Sequence, residues 1–207
     1  MTKYDVAIIG GGILGTSISY WLSSLFDIQV CVIDKESDVG MHASSRNTGV
    51  VHSPFYLDPQ KKKILAKSAF LSHDLWKTFA EKRELPWKMV GTLEVALNED
   101  QHKTLEKYMK WGVNNGISQS DLELLDKNEV SNKEPNVSCY SAVFCKSDAV
   151  VDYGMFTKQL KKESEKNGTK FLLNSQVNSI EKGSKINFEY NTNMKANLII
   201  NCAGGNS

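Results

Sequence analysis

The sequence has little of what marks several classes of protein. It has four prolines and four cysteines in 207 residues, and no two cysteines form a C-x-x-C pair. Cys31 and Cys202 lie in or beside apolar strands, so the cysteines are predicted to be buried, reduced thiols. No run of about 18 apolar residues occurs, so no segment is predicted to span a membrane. The formal net charge is only +1, which gives no electrostatic case for nucleic acid.

The N-terminus also lacks the layout of a secretion signal, because its apolar run is short and passes directly into glycines. A cytoplasmic location is therefore expected. His42, His73 and His102 show no metal-ligand spacing with one another or with the cysteines, and no metal is predicted. The composition, 41% hydrophobic and 24% charged, is ordinary for a globular protein of one or two domains.

The first 34 residues carry a nucleotide-binding pattern. A predicted strand, Asp5–Ile9, runs into Gly10-Gly11-Gly12-Ile13-Leu14-Gly15, and a helix is predicted over Ile13–Leu25. A second strand, Gln29–Ile33, ends on Asp34. This is G-x-G-x-x-G between a strand and a helix, with an acidic residue about 20 positions further on. The pattern predicts dinucleotide binding; a glycine-rich turn that binds nothing is the structural alternative.

Each part of this pattern has a physical role. Gly10 allows the tight turn, Gly12 lets the backbone approach a pyrophosphate, and Gly15 lets the helix pack on the strand. The helix N-terminus offers unpaired N–H groups to phosphates, and Asp34 can accept hydrogen bonds from a ribose diol. The predicted cofactor contacts in this segment are Gly10, Gly12, Ile13, Leu14, Gly15, Asp34 and Lys35.

The order of the later elements suggests a divided domain. A stretch rich in Ser, Gly, His and Asn, Lys35–Leu57, follows the second strand, and Asp58-Pro59 is predicted to begin a helix that runs to Lys82. A mixed segment then precedes a return of α/β character at Tyr153. We predict an α/β fold in which a nucleotide-binding domain, residues 1–84 and 151–207, is split by part of a second domain, residues 85–150.

The stretch Ala43-Ser44-Ser45-Arg46-Asn47-Thr48-Gly49-Val50-Val51-His52-Ser53 makes the prediction more specific. With the N-terminal glycines it resembles the FAD-dependent oxidoreductases of the D-amino-acid-oxidase (DAO) superfamily. Ser44 to His52 match, position by position, the segment that follows the second strand in the L-2-hydroxyglutarate dehydrogenase/oxidase and glycerol-3-phosphate dehydrogenase branch. Asn174-Ser175-Gln176-Val177 resembles the strand whose backbone meets the adenine. Asn201-Cys202-Ala203-Gly204 resembles the second glycine turn, which lies against the cofactor.

The resemblance implies FAD as the cofactor, held in a Rossmann-like domain that is split by an inserted, incomplete α+β substrate domain. A loop of small hydroxyl and amide residues could supply donors to a flavin without bulk, and Gly49 would let the backbone approach the ring. A surface loop that is rich in Ser and Asn is the structural alternative. The further predicted cofactor contacts are Ser44, Ser45, Arg46, Asn47, Thr48, Gly49, Val177, Ala203 and Gly204.

His52 is the candidate catalytic residue. Oxidation of a hydroxyl compound moves a hydride to the flavin and requires loss of the hydroxyl proton, which a histidine could accept. The alternative is a histidine that only forms a hydrogen bond to the flavin or to its own loop. Arg46 could pair with a phosphate or a substrate carboxylate, or form a surface ion pair.

Three functions stay open from the sequence. The first is oxidation of a small anionic substrate, a 2-hydroxy acid such as L-2-hydroxyglutarate or glycerol 3-phosphate. The second is an amine oxidase acting on glycine, sarcosine or a D-amino acid, and the third is an FAD-holding portion that is catalytically incomplete. Pro54 and Gln60 stand where the branch usually has glycine, which leaves the exact substrate open.

Members of the family are nearly twice this length, so the resemblance implies that the chain corresponds to an N-terminal portion. We therefore expect weak FAD retention and little turnover for these residues alone. The expected partners are a missing C-terminal half or second subunit, and an electron acceptor or a peripheral membrane.

Overall fold

The computed structural model describes residues 3–183, 185–188 and 192–206. The chain forms two compact units: unit 1 combines the residues up to Thr48 with those from Asp152 onward, and unit 2 is Gly49–Val151. Unit 1 is thus assembled from two separate stretches of chain. No helix among the described residues is both long and apolar enough to cross a membrane.

The regular elements follow one another in a strand–helix alternation that opens and closes the chain. The first are β1 (Lys3–Ile9), α1 (Ile13–Leu25), β2 (Val30–Ile33), β3 (Val50–Val51), α2 (Lys63–Glu81), β4 (Trp87–Met89), β5 (Thr92–Ala96) and α3 (Glu99–Asn114). The rest are β6 (Leu122–Asp126), α4 (Lys127–Lys133), β7 (Ser141–Cys145), β8 (Ala149–Val151), α5 (Tyr153–Lys166), β9 (Lys170–Leu172), β10 (Val177–Glu181), β11 (Lys185–Phe188) and β12 (Asn193–Asn201).

Unit 1 is built on a six-stranded sheet of order β10-β11-β12-β1-β2-β9. Its centre is parallel, since β12, β1, β2 and β9 pair in the same direction, whereas β10, β11 and β12 form an antiparallel meander. All four residues of β2 are buried, as are Ala7 and Ile8 of β1, which explains the unbroken apolar runs of these strands. Helices α1 and α5 pack together, with the hydroxyls of Ser19 and Ser164 3.0 Å apart.

This topology positions a site at one edge of the sheet. The carboxyl ends of parallel strands meet at the same edge, and ligands of open α/β sheets bind there. Gly10 follows β1, Asp34 follows β2 and Cys202 follows β12. The predicted cofactor residues of the N-terminal pattern and of the second glycine turn therefore converge at this edge.

Unit 2 contains two three-stranded antiparallel sheets, β3-β8-β4 and β5-β7-β6. Helix α3 packs on the second sheet, where Leu105 joins Phe55, Ile117 and Val143 in a buried cluster. Helix α4 is held at its N-terminus by a capping box, in which Asp126 accepts from the N–H of Glu129 and Glu129 accepts from the N–H of Asp126.

The predicted start of the second helix at Asp58-Pro59 is wrong, because α2 begins at Lys63. The Asp58 side chain accepts hydrogen bonds from the N–H groups of Gln60 (2.9 Å) and Lys61 (3.0 Å), so it closes a turn that precedes the helix. Asp-Pro is equally suited to a turn and to a helix N-terminus, and the sequence pattern does not separate the two.

The compact units divide at positions that differ from the predicted boundaries. Residues 49–84 cluster with unit 2, whereas the sequence assigns them to the nucleotide-binding part. The physical reason is strand pairing, because β3 lies antiparallel to β8 and β4 lies on the other side of β8. The assignment of residues 1–84 and 151–207 to nucleotide binding, and of residues 85–150 to a second domain, stays a prediction.

Candidate functional site

Two glycines shape the turn between β1 and α1. Gly10 has φ = +110°, a backbone conformation that favours glycine, and a Cβ there would collide with the carbonyl oxygen of Cys202. A Cβ on Gly15 would collide with the carbonyl oxygen of Gly10. Both contacts leave no room for a side chain. They hold the first turn of α1 against β1 and bring the end of β12 beside the turn.

The N-terminus of α1 is only partly capped from within unit 1. Its N-cap is Gly12, which has no side chain to donate or accept, and the Ser44 hydroxyl accepts from the Ile13 N–H at 2.9 Å. No described residue accepts from the N–H groups of Gly12 and Leu14. The first turn of this helix therefore offers unpaired N–H groups and the positive end of the helix dipole to an anion.

Asp34 stands beside the same turn. Its Oδ2 accepts from the Gly11 N–H at 2.5 Å, and its Oδ1 accepts from the Glu36 N–H at 2.9 Å. These bonds fix the carboxylate in place and use one lone pair on each oxygen. The remaining lone pairs can accept hydrogen bonds from the two hydroxyls of a ribose.

Gly12 and Asp34 open onto a cavity of about 430 Å³ in unit 1, within the size range of cofactor and ligand sites. The predicted cofactor contacts that line it are Gly10, Gly12, Asp34, Lys35, Ser44, Val177, Ala203 and Gly204. Other predicted contacts do not line it: Ile13, Leu14, Gly15, Ser45, Arg46, Asn47 and Thr48. Gly49, the remaining predicted contact, belongs to unit 2.

The stretch from Ser45 to Thr48 is exposed, and its side chains form hydrogen bonds back to a short turn of 3₁₀ helix at Ala43–Ser45. The Asn47 side chain donates to the carbonyl oxygen of Ala43 at 3.0 Å, and the Ser45 hydroxyl donates to that of His42 at 3.3 Å. This turn presents Ser44 to the start of α1. In unit 2, Gly49 has φ = +72° and accepts from the N–H of Val151, so the strand pairing of that unit already requires a glycine at this position.

Sequence reasoning missed the part that Val39 and Gly40 play in the loop that follows Asp34. Val39 is fully buried, and the Gly40 N–H donates to the carbonyl oxygen of Gly11 at 3.0 Å, with φ = +71° at Gly40. An apolar residue and a glycine inside an otherwise polar loop were the available signal. The lining residues that were not among the predicted contacts are Ile9, Ile33, Gly40, Met41, His42, Ala43, Ser175, Gln176, Cys202 and Gly205.

The second glycine turn lies along one side of the cavity. The Cys202 N–H donates to the carbonyl oxygen of Ile9 at 2.6 Å, which continues the β1–β12 pairing up to the turn. The Ala203 N–H donates to the Asn201 side chain at 3.0 Å. Burial raises the pKa of the Cys202 thiol, so this sulfur stays protonated and is no nucleophile. The turn therefore contributes backbone and shape to the cavity.

In unit 2, His52 lies beside a buried carboxylate. Its Nδ1 is 3.0 Å from Oδ2 of Asp148, whose side chain is fully buried, while the imidazole itself is 44% exposed. Nε2 has no hydrogen-bond partner among the residues that the structure describes. The ring meets Tyr56 edge-on, with ring centroids 6.0 Å apart. Burial, the charge of Asp148 and that of Glu94 raise the pKa of the Tyr56 phenol, which keeps it neutral.

Within the described part of the chain, no group of three or more His, Cys, Asp or Glu side chains is placed to hold a metal ion.

A sheet with parallel strands at its centre, a glycine turn, an open helix N-terminus and an acidic residue at its carboxyl edge defines a dinucleotide-binding protein of the Rossmann-like class. The family model described as DAO, FAD dependent oxidoreductase, matches residues 5–207. The chain belongs to this family of FAD-dependent oxidoreductases. The predicted family and the predicted cofactor are confirmed.

The curated relatives of the chain include two kinds of enzyme, glycerol 3-phosphate dehydrogenases and L-2-hydroxyglutarate dehydrogenases. A glycerol 3-phosphate dehydrogenase of Caloramator mitchellensis is 33% identical over 208 residues, covering 97% of this chain and 42% of the relative. A mitochondrial L-2-hydroxyglutarate dehydrogenase of Caenorhabditis briggsae is 29% identical over 186 residues, covering 89% of this chain and 42% of the relative. The chain thus spans about half the length, or somewhat less, of such relatives.

Solved structures share the fold. A dithionite-reduced L-alpha-glycerophosphate oxidase of Mycoplasma pneumoniae with FAD bound is 26% identical, with a TM-score of 0.81 over 96% of this chain and 53% of that one. A glycine oxidase of Geobacillus kaustophilus has a TM-score of 0.83 at 21% identity, over 99% of this chain and 56% of that one, and is similar in fold alone.

Proposed function

We propose that the protein takes part in oxidising a small anionic hydroxy compound, a 2-hydroxy acid of the L-2-hydroxyglutarate kind or glycerol 3-phosphate, with FAD held by unit 1. One observation carries the choice of a hydroxy compound. His52 has a half-exposed imidazole whose Nε2 is unengaged and whose Nδ1 faces a carboxylate. Such a ring can take the proton of a hydroxyl group.

The residues of the unit 1 cavity fit the chemistry of FAD. The pyrophosphate would accept hydrogen bonds from the unpaired N–H groups at the N-terminus of α1, of which that of Gly12 belongs to a residue that lines the cavity. The ribose diol would donate to Asp34, whose oxygens each keep a lone pair. A Cβ on Gly12 would approach Ser44 Oγ to 2.9 Å, so a side chain there would crowd the hydroxyl that accepts from the Ile13 N–H. We assign the other predicted contacts that line the cavity to the same cofactor.

The chain's own part in the reaction is a proton transfer. An alcohol becomes a ketone when the carbon loses a hydride and the hydroxyl oxygen loses a proton. When bound, the flavin supplies the hydride acceptor. His52 accepts the proton at Nε2, so the O–H bond breaks as an N–H bond forms.

We infer that unit 2 is part of the substrate domain inserted into the FAD-binding domain. Support comes from the division of the chain, because unit 1 is interrupted at Thr48 and resumes at Asp152. It also comes from His52, the candidate base, which belongs to unit 2. The anionic character of the substrate is supported by the names of the relatives, which act on glycerol 3-phosphate and on L-2-hydroxyglutarate.

Replacing Asp34 by alanine is expected to weaken FAD binding by at least about 10- to 100-fold, because the loss of even one hydrogen bond to a charged group costs about 1.5–3 kcal/mol. The measurement is quenching of FAD fluorescence on titration with the protein. Asp27→Ala removes an equal charge from an exposed position and should leave the affinity unchanged. Equal affinities for the Asp34 and Asp27 variants would refute the assignment of Asp34 to the ribose.

The substrate class is tested by anaerobic bleaching of the protein-bound flavin in a single turnover, which detects a reaction even where turnover is slow. Glycerol 3-phosphate and L-2-hydroxyglutarate are compared with glycine, sarcosine and D-alanine. We expect bleaching by a hydroxy compound. Bleaching by an amine alone would overturn the proposal in favour of an amine oxidase, and a flavin that no compound reduces would favour an FAD-holding portion.

A further inference from the structure

Asp148 is a buried carboxylate that is surrounded by hydrogen-bond donors. Its exposed fraction is 0%, and it lies 96 residues from His52 along the chain. Oδ1 accepts from the Ser53 N–H at 2.6 Å and from the Cys145 thiol at 3.4 Å. Oδ2 accepts from the Thr92 hydroxyl at 2.7 Å and lies 3.0 Å from Nδ1 of His52. Four groups therefore converge on one carboxylate.

This arrangement determines which nitrogen of His52 carries the proton. A carboxylate is an acceptor only, and a buried one requires partners that donate. Its contacts with Ser53 and Thr92 hold Asp148 in one orientation, so the nitrogen that faces Oδ2 is required to be Nδ1–H. The neutral imidazole then has its lone pair on Nε2, the nitrogen without a partner among the described residues.

We propose that Asp148 is a positioning residue for His52: it selects the Nδ1–H tautomer, fixes the ring, and stabilises the imidazolium that forms when Nε2 accepts the substrate's hydroxyl proton. Asp148 takes no proton itself; its charge only pairs with the protonated ring. The catalytic half of this inference rests on the proposed function, whereas the tautomer half concerns the protein without substrate and requires no turnover.

The surroundings of the pair agree with this role. Cys145 next to Asp148 is not a competing acid, because burial raises the pKa of its thiol to about 11. The Ser53 hydroxyl is engaged 2.8 Å from that of Ser147, so it leaves the carboxylate to the donors named above. His73 contacts the carbonyl oxygen of Ser147 at 2.9 Å instead. Only His52 therefore presents its ring to Asp148 among the described residues.

The first test is the tautomer of His52 in the FAD-loaded protein, read from the ¹⁵N shifts of its imidazole by NMR. At about pH 8 an ordinary imidazole is neutral, and the His52→Asn spectrum identifies the signals. We expect Nδ1 to be protonated and Nε2 bare in the unmodified protein. An Nε2–H tautomer, or an even mixture of the two, would overturn the inference without any variant having to fold.

The second test is Asp148→Asn. We expect the His52 signals to shift from the Nδ1–H form towards the Nε2–H form, because a carboxamide can either donate or accept. We also expect single-turnover flavin reduction by the hydroxy substrate to slow by about 100- to 1,000-fold, with little change in the substrate concentration that gives half the maximal reduction rate. Asp148→Glu should restore part of the rate. The matched control is Asp74→Asn, an exposed carboxylate 3.8 Å from His73, which should leave both readouts unchanged.

The two proposals fail in different ways. If Asp148→Asn changes neither the tautomer nor the rate while His52→Asn stops flavin reduction, the role of Asp148 is refuted and the proposed function stands. If the tautomer shifts as expected while both variants reduce the flavin at the unmodified rate, the role of His52 as base is refuted, and with it the catalytic half of the inference.

Discussion

The Gly10→Ala variant is expected to bind FAD at least about 100-fold more weakly and to lose about 3 kcal/mol of unfolding free energy. Two effects combine at this position. Gly10 has φ = +110°, which strains any side chain, and the added Cβ would overlap the backbone of Cys202 and Ala203. Because the atoms that the Cβ would meet are all backbone atoms, no flexible side chain could move aside. The ends of β1 and β12 would therefore have to separate.

That separation would act directly on the cofactor site. Gly10 and Ala203 both line the cavity, and the first turn of α1 is held against Gly10 by Gly15. A shift of this turn displaces the N–H groups that we assign to the pyrophosphate. Affinity is measured by FAD fluorescence quenching, and stability by chemical denaturation followed by circular dichroism.

Gly168→Ala provides a matched control. Gly168 also has a positive φ, +91°, yet a Cβ there would meet nothing within 4 Å. It should therefore cost only the backbone strain, about 1 kcal/mol, and leave FAD affinity unchanged. If Gly10→Ala behaved like Gly168→Ala in both measurements, the close contact of the two glycine turns would not be required for FAD binding.

The His52→Asn variant is expected to slow single-turnover flavin reduction by about 10²- to 10⁴-fold, the usual contribution of a general base. Asparagine keeps a polar side chain that can donate to Asp148, but it has no nitrogen able to accept a proton. FAD affinity should change little, because His52 belongs to unit 2 and none of the residues that line the unit 1 cavity is replaced. Rapid-mixing absorbance of the oxidised flavin measures the rate.

His102→Asn is the control for loss of a histidine from unit 2. His102 contacts the Ser141 hydroxyl at 2.8 Å and the edge of Tyr140, and it has no part in the proposed reaction. Its variant should reduce the flavin at the unmodified rate. A His52 variant that also kept this rate would assign the proton transfer to another group or to water.

The N-terminal βαβ unit could be predicted closely from its residues. The predicted helix over Ile13–Leu25 has the observed bounds, and the strands at Asp5–Ile9 and Gln29–Ile33 differ from β1 and β2 by one or two residues at their starts. Their signals are local: an apolar run buried on both faces, three glycines, and an acidic residue after the second strand. Asp34 and Ser44 both line the unit 1 cavity, and their contact with the cofactor stays a prediction.

Other features depend on contacts between residues that are far apart in the chain. Asp58-Pro59 fits a helix start locally, yet the chain forms a turn there and α2 starts at Lys63. The assignment of residues 49–84 to unit 2 follows from the pairing of Val50–Val51 with β8, about 100 residues later. A strand of two residues has no periodicity to read, so no local pattern could have revealed it.

The sequence by itself determined the class of cofactor, because the glycine turn, its helix and Asp34 are neighbours in the chain and each has a steric or hydrogen-bonding role that few residues can perform. Only the tertiary structure decided which loop residues face the cavity and which group accompanies His52. The Gly40 N–H meets Gly11, and Asp148 reaches His52 across 96 residues, only after the strands have paired. A buried carboxylate needs donors from whatever segments surround it, and that set exists only in the folded chain.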